Sequence, residues 1–146
     1  MEIINKEYMT SEQMSVVPDN APNPTEVFRG EGGWVVKKPK SGEPEPSITF
    51  NLNPKNDDKK TLVREITIDG TVNDVKVEVR LSNEKNFRTI VPESKKGSAI
   101  IVPFVQADEL KITPLTTIEP DDENYSLTLI VKVCHREYQS TRILKS

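Results

Sequence analysis

The 146 residues suit a single domain, and a compact fold of this length buries most of the surface that its unfolded chain exposes. The net charge of −3 argues against nucleic-acid backbones and anionic membrane surfaces as partners, because both require clustered positive charge. No apolar run approaches the roughly 20 residues that span a bilayer, so we expect no membrane insertion.

The N-terminus and the cysteine content bear on the cellular compartment. Residues 1–10 lack the basic start and apolar centre of a signal peptide. The single cysteine, Cys134, excludes an internal disulfide framework. We expect an extracellular or cell-surface location if the chain is a fragment of a longer secreted protein, and a cytoplasmic location otherwise. The sequence predicts no oligomeric state.

Loops dominate the first part of the chain. Val16–Pro24 is predicted to be a loop because each proline lacks an amide donor and fixes φ. Gly30–Gly33 allow a sharp turn that sets Trp34 against the body of the protein. Lys37–Pro46 is a second polar, proline-rich loop, and Ser47–Leu52 then alternates as a strand.

Thr61–Leu81 carries the clearest pattern and is predicted to form a central pair of strands. Val63, Ile66 and Ile68 lead into an Asp-Gly turn. The next strand alternates the apolar set Val75, Val77, Val79 and Leu81 with the charged set Lys76, Glu78 and Arg80. A strand that buries one face and exposes the other to solvent needs this period of two. We therefore interpret the charged face as solvated sheet surface.

Shorter elements complete the chain. They are a turn at Ser82–Asn86, a strand at Phe87–Val91, a loop at Pro92–Ser98, strands around Ile100–Phe104 and Ala107–Ile112, and an acidic turn at Glu119–Asn124. The last strand is predicted at Tyr125–Cys134, where Ile130 on the second face indicates partial cover on both sides. About eight short strands joined by turns indicate an all-β fold, an antiparallel β-sandwich or barrel.

An ordered set of residues runs through these elements: Asn20, Asn23, Val27, Gly30, Trp34, Val63, Ile66, Ile68, Gly70, Val77, Val79, Ser82, Phe87, Ala107 and Cys134. This order resembles the discoidin family, also called coagulation factor 5/8 type C, among the galactose-binding-domain-like jelly rolls. The resemblance implies a jelly-roll sandwich at 9–136, with an extension at 1–8 and a tail at 137–146.

The chain also departs from that family, which makes it a divergent member. Arg29 replaces an acidic residue common before the first-turn glycine, which weakens any calcium site implied by the resemblance. Asp108 and Glu109 occupy a region where the family commonly has an arginine. No N-terminal cysteine is present to pair with Cys134, and the family's ligand preferences are not carried over.

The residues do not predict catalysis or a bound cofactor. Cys134 and His135 are neighbours on a predicted strand, so their side chains point to opposite faces. One cysteine and one histidine cannot make the usual zinc site, and no phosphate-binding glycine loop or nucleophile elbow is present. Calcium is the one cofactor considered, with Glu31, Asp121 and Asp122 as candidate ligands, although acidic turns are usually acidic because they are solvated.

We expect a non-catalytic module that binds a glycan or a protein partner through loops at one end of the sandwich, as part of a larger protein. The alternative is a structural or assembly scaffold domain inside the cell. The candidate ligand-binding residues are Asn20, Asn23, Arg29, Glu31, Trp34, Lys37, Lys38, Asn83 and Lys85. For Trp34 we weigh two interpretations, an exposed stacking platform and an aromatic packed against the body, and we favour the second.

Overall fold

A computed structural model of the chain describes residues 2–4, 13–18, 24–28, 33–53, 60–95 and 99–136. These ranges contain a 3-10 helix at Pro24–Phe28 and ten strands: β1 (Glu2–Ile4), β2 (Met14–Val17), β3 (Trp34–Lys37), β4 (Ser47–Asn51), β5 (Lys60–Gly70), β6 (Asp74–Arg80), β7 (Arg88–Lys95), β8 (Ala99–Gln106), β9 (Glu109–Pro114) and β10 (Asn124–Arg136). The described part of the chain includes no helix of the length and apolarity needed to cross a membrane.

Two antiparallel sheets form a β-sandwich, as predicted. Sheet I has the order β1-β10-β5-β8, and β3 also pairs with the start of β10. Sheet II has the order β2-β4-β9-β6-β7. Of the ten strands, β1 to β3 were not singled out in the sequence, because they are only three or four residues long and carry little alternating pattern.

The core lies between the sheets and is filled from both of them. The largest fully buried side chains include Trp34, Ile48, Phe50, Leu52, Ile66, Leu110, Ile112 and Leu127. In β6 the burial pattern alternates strictly, with Val75, Val77 and Val79 inside. Each such aliphatic side chain contributes about 1.5–3 kcal/mol of transfer free energy. The result is a rigid frame that fixes the positions of its loops.

The predicted pairing of the two strands in Thr61–Leu81 is wrong. Strand β5 pairs with β10 and β8 in sheet I, whereas β6 pairs with β9 and β7 in sheet II. Gly70 ends β5 with φ of 122°, and the chain crosses between the sheets there. Alternation shows that each strand buries one face, but both sheets of a sandwich bury one face, so the pattern cannot assign the partner.

Two further expectations need correction. Pro92–Lys95, predicted as a loop, belongs to β7, which lies at the edge of sheet II and has a register shift beside Pro92, and edges and bulges are where a strand accepts a proline. Ile130 is 47% exposed, so the predicted cover on the second face of β10 is wrong at this position. Glu2–Ile4, from the predicted extension, pair with β10 inside sheet I. The predicted tail at 137–146 lies outside the described residues.

Candidate functional site

The strand registers place the predicted binding loops at two ends of the sandwich. Lys37 pairs with Asn124 at one end, which we call the cleft end, and Val17 pairs with Ser47 there. The loop between β3 and β4 therefore belongs to the cleft end. The loop between β6 and β7 follows Arg80 and lies at the opposite end.

An open cleft of about 530 Å³ lies at the cleft end. Its lining comes from the end of β2, from β3 with the loop that follows it, and from the first residue of β10. The lining residues are Pro18, Val35, Val36, Lys37, Lys38, Pro39, Lys40, Glu43, Pro44, Pro46 and Asn124. The lining combines apolar walls with a few polar groups.

A tight turn shapes the outer wall of the cleft. The Glu43 amide donates to the Lys40 carbonyl over 2.9 Å, which closes a four-residue turn, and Gly42 takes the positive φ of 88° that position i+2 of a type II turn requires. The Glu43 carboxylate in turn accepts a hydrogen bond of 2.7 Å from the Lys40 amide. These two bonds stabilise the turn at Lys40–Glu43.

Lys38 anchors the same loop to the segment that leads into β10. Its ammonium donates to the Thr117 hydroxyl over 2.7 Å and to the Pro120 carbonyl over 3.3 Å. Its amide donates to the Glu123 carbonyl over 2.9 Å. Two of the three donors of the ammonium are thus used inside the protein. Lys38 therefore has a structural role in the cleft wall.

Tyr125 is the aromatic neighbour of Lys38. The Lys38 ammonium lies 5.8 Å from the centre of the Tyr125 ring, and the Tyr125 hydroxyl donates to the Leu115 carbonyl over 3.0 Å. Burial, and to a lesser extent the nearby Glu45 carboxylate, raises the pKa of the Tyr125 phenol, because both disfavour the phenolate. The neutral ring and its hydrogen bond therefore persist at neutral pH.

The exposed lysines of the cleft differ from Lys38. Lys37 and Lys40 are both exposed, and no described residue forms an ion pair with either ammonium. Because Lys37 follows the buried Val36 on an alternating strand, its side chain lies on the outer face of sheet I. The two neighbouring lysines that the sequence nominated therefore have different environments.

Trp34 does not form a binding platform. Its side chain is fully buried, and its backbone pairs with Leu127 in β10. Gly33 takes a positive φ of 66° just before it, and a Cβ atom there would lie 2.1 Å from the Leu127 carbonyl oxygen. This close approach seats Trp34 in the core, which agrees with the interpretation that we favoured and contradicts a ligand-stacking role.

Asn83 and Lys85 lie at the opposite end, away from the cleft. Their loop is held by Asp108, whose carboxylate accepts from the Ser82 amide over 2.7 Å and from the Ser82 hydroxyl over 2.8 Å. The Lys85 carbonyl accepts from Arg80 over 3.4 Å. The structure therefore does not bring this pair together with Lys37 and Lys38 in one site.

The remaining candidates are residues outside the described ranges and possible metal ligands. Asn20, Asn23, Arg29 and Glu31 lie outside the described residues. Asp121 and Asp122 lie in the turn where the Asp122 amide donates to the Glu119 carbonyl over 3.1 Å. The described residues contain no cluster of three or more histidine, cysteine or acidic side chains that could hold a metal ion. The calcium ligands stay predictions.

Sequence reasoning singled out the Lys37–Pro46 loop, which supplies seven of the eleven lining residues, but did not bring the rest of the lining to it. Pro18 and Asn124 line it from distant parts of the chain, and they meet the loop only because β2 and β10 end at this corner of the sandwich. The one sequence feature that could have indicated the cleft was the density of prolines in this loop, because proline fixes φ and gives a loop a stiff shape.

The fold is the discoidin-like (F5/8 type C) jelly roll. The F5/8 type C domain of a Bacteroides fragilis protein superposes with a TM-score of 0.57 at 12% identity, covering 93% of this chain and 96% of that one. The chitosan-binding module 1 of a chitosanase/glucanase from Paenibacillus sp. IK-5 gives 0.58 at 15% identity, with 82% and 92% covered. The family 32 carbohydrate-binding module of AlyQ, in complex with 4,5-unsaturated mannuronic acid, gives 0.58 at 12% identity, with 85% and 95% covered. The sequence matches no family model and no curated protein.

Proposed function

We propose that the protein is a non-catalytic glycan-binding module, and that the open cleft at the cleft end is its ligand site. The observation that carries this proposal is a cleft of about 530 Å³ whose wall is already ordered by the Lys40–Glu43 turn and the Lys38 anchor. A preordered site loses little conformational entropy on binding. The size of the cleft suits one or two sugar rings.

The chemistry of the lining supports a carbohydrate. The apolar surfaces of Val35 and Pro44 suit the C–H face of a sugar ring, while Lys37 and Asn124 can hydrogen-bond to hydroxyl groups. The fold supports it as well, since two modules with this fold are named for chitosan binding or are solved with mannuronic acid. Because one of them derives from a chitosanase/glucanase, we extend the proposal to a module of a larger extracellular protein.

The test uses the whole chain on a glycan array, followed by calorimetry with the glycans that bind. Val35→Glu places a carboxylate in the cleft wall at a residue that is 40% exposed, so the fold tolerates it. We expect this variant to bind glycans at least about 10-fold more weakly, because a sugar ring that packs on residue 35 would have to displace the water that hydrates the new carboxylate. The matched control is Ile130→Glu, which makes the same charge change on sheet I outside the cleft.

The intracellular scaffold function makes the opposite prediction. A scaffold domain would leave the glycan array empty and would bind a protein partner through a surface that Val35→Glu does not touch. An empty array would contradict the proposed function, and equal glycan binding by Val35→Glu and Ile130→Glu would contradict the cleft as its site.

A further inference from the structure

The charge of the cleft differs from the charge of the chain. The protein as a whole carries a net charge of −3, whereas the cleft lining has three lysines against a single glutamate. The glutamate, Glu43, already accepts a hydrogen bond from the Lys40 amide. The residues that line the cleft therefore carry a net positive charge on an acidic protein, with the Glu45 carboxylate next to the lining between Pro44 and Pro46.

The walls of the cleft strengthen this local potential. Four prolines and two valines line it, so much of the surface beside the lysines is apolar. A concave surface with low-dielectric walls focuses the field of its charges toward the opening. A ligand charge at the opening therefore interacts with the lysines more strongly than it would on a flat surface.

Two of the three lysines can serve a ligand. The Lys38 ammonium is committed to Thr117 and Pro120. The ammonium groups of Lys37 and Lys40 are exposed and without an ion-pair partner in the described ranges. Lys40 is also held at the start of a closed turn, so the position of its backbone is set before binding. A free cation on a preordered loop suits an anionic ligand group.

We infer that the cleft selects carboxylate-bearing glycans, with Lys37 and Lys40 pairing with uronate carboxylates. This inference rests on the proposed function and names the class of sugar for the same site. Neutral glycans lose the ionic contribution, and cationic amino-sugar chains are repelled. Lys38 contributes charge and shape to the cleft wall but does not contact the ligand directly.

The experiment compares four ligands of similar length by calorimetry with the whole chain. They are an oligouronate, the same oligouronate with its carboxyl groups reduced to primary alcohols, a chitosan oligomer and oligoglutamate. We expect the oligouronate to bind, the reduced form to bind at least about 5-fold more weakly, and the chitosan oligomer to bind least. Oligoglutamate should not compete, because it lacks the sugar ring that packs on the apolar wall.

Two lysine variants and one control locate the effect. Lys37→Gln and Lys40→Gln should each weaken oligouronate binding by about 3- to 5-fold, and should weaken binding of the reduced oligomer by less, because only the ionic contribution is specific to the carboxylate. Lys85→Gln, at the opposite end, should change neither. Raising the salt concentration should weaken oligouronate binding and leave the reduced ligand unaffected.

The outcomes separate this inference from the proposed function. If the reduced oligomer binds as well as the oligouronate, the carboxylate assignment is overturned. If oligoglutamate competes equally, the cleft binds polycarboxylates in general and its selection of carboxylate-bearing glycans is overturned. In both cases glycan binding stands or falls on the array. If none of these ligands and no glycan on the array binds, the proposed function fails, and the inference fails with it.

Discussion

The Lys38 ammonium lies 2.7 Å from the Thr117 hydroxyl oxygen, although 79 residues separate the two in the chain. Thr117 is itself buried, and its hydroxyl donates to the Glu119 carbonyl over 2.6 Å. A charged donor thus joins the loop after β3 to the segment before β10. This contact makes one wall of the cleft part of the folded frame.

Replacement of Lys38 tests this anchor. Lys38→Met keeps the aliphatic stem but removes both hydrogen bonds, and we expect the free energy of unfolding to fall by about 1–2 kcal/mol. Urea unfolding followed by circular dichroism measures it. Lys37→Met is the matched control, because that exposed side chain should change stability by less than about 0.5 kcal/mol. Equal effects of the two variants would contradict the structural role of Lys38.

Tyr125 gives a prediction about pH. Its folded-state pKa is raised by burial and by Glu45, so the folded protein holds the phenol proton more tightly than the unfolded chain does. The resulting stability is complete below the ordinary tyrosine pKa of about 10 and is lost as pH rises through the folded-state value. Tyr125→Phe should cost about 0.5–1.5 kcal/mol at pH 7, because the bond to Leu115 disappears.

Measurements at alkaline pH distinguish the effect of Tyr125 from that of the other two tyrosines, because the wild type and Tyr125→Phe both retain those two. Unfolding free energies measured from pH 8 to 11 should fall more steeply in the wild type than in Tyr125→Phe. Parallel curves would mean that Tyr125 does not carry the pH dependence.

Gly70 and Gly42 form a matched pair for backbone strain. Both take a positive φ, but a Cβ atom on Gly70 would lie 2.1 Å from the Ser126 carbonyl oxygen, whereas a Cβ on Gly42 meets no atom within 4 Å. Gly70→Ala should lower the unfolding free energy by about 3 kcal/mol or more, and Gly42→Ala by about 1 kcal/mol. Thermal unfolding of both variants provides the comparison. Similar losses of stability would contradict the steric clash expected between a Cβ atom at position 70 and the Ser126 carbonyl oxygen.

Asp108 gives a prediction for the opposite end. Asp108→Ala removes the acceptor of the Ser82 amide and hydroxyl, so we expect faster hydrogen exchange at 81–87 and a loss of about 1–3 kcal/mol. Ser82→Ala removes only the hydroxyl bond and should have a smaller effect. Glycan binding at the cleft should be the same in both variants. A loss of binding in Asp108→Ala would instead place the ligand at the loop between β6 and β7.

Much of the fold was predictable because strand patterns are local. The alternation in Val75–Val79 and Leu127–Val133 follows directly from a period of two, and the structure buries those positions. The candidate site was less predictable. Lys37 and Lys38 are adjacent in the chain, yet one is exposed at the strand end and the other is anchored to Thr117, a contact across 79 residues that no local pattern contains.

The sequence by itself determined that this protein is an all-β fold of short strands with proline-stiffened loops, because alternation and loop chemistry depend on near neighbours in the chain. Only the tertiary structure decided that β5 and β6 belong to different sheets, and that Pro18 and Asn124 join the Lys37–Pro46 loop around one cleft. The physical reason is that an amphipathic strand can bury its apolar face in the core as a member of either sheet. The choice of partner, and hence of which loops meet, depends on how all ten strands share one core.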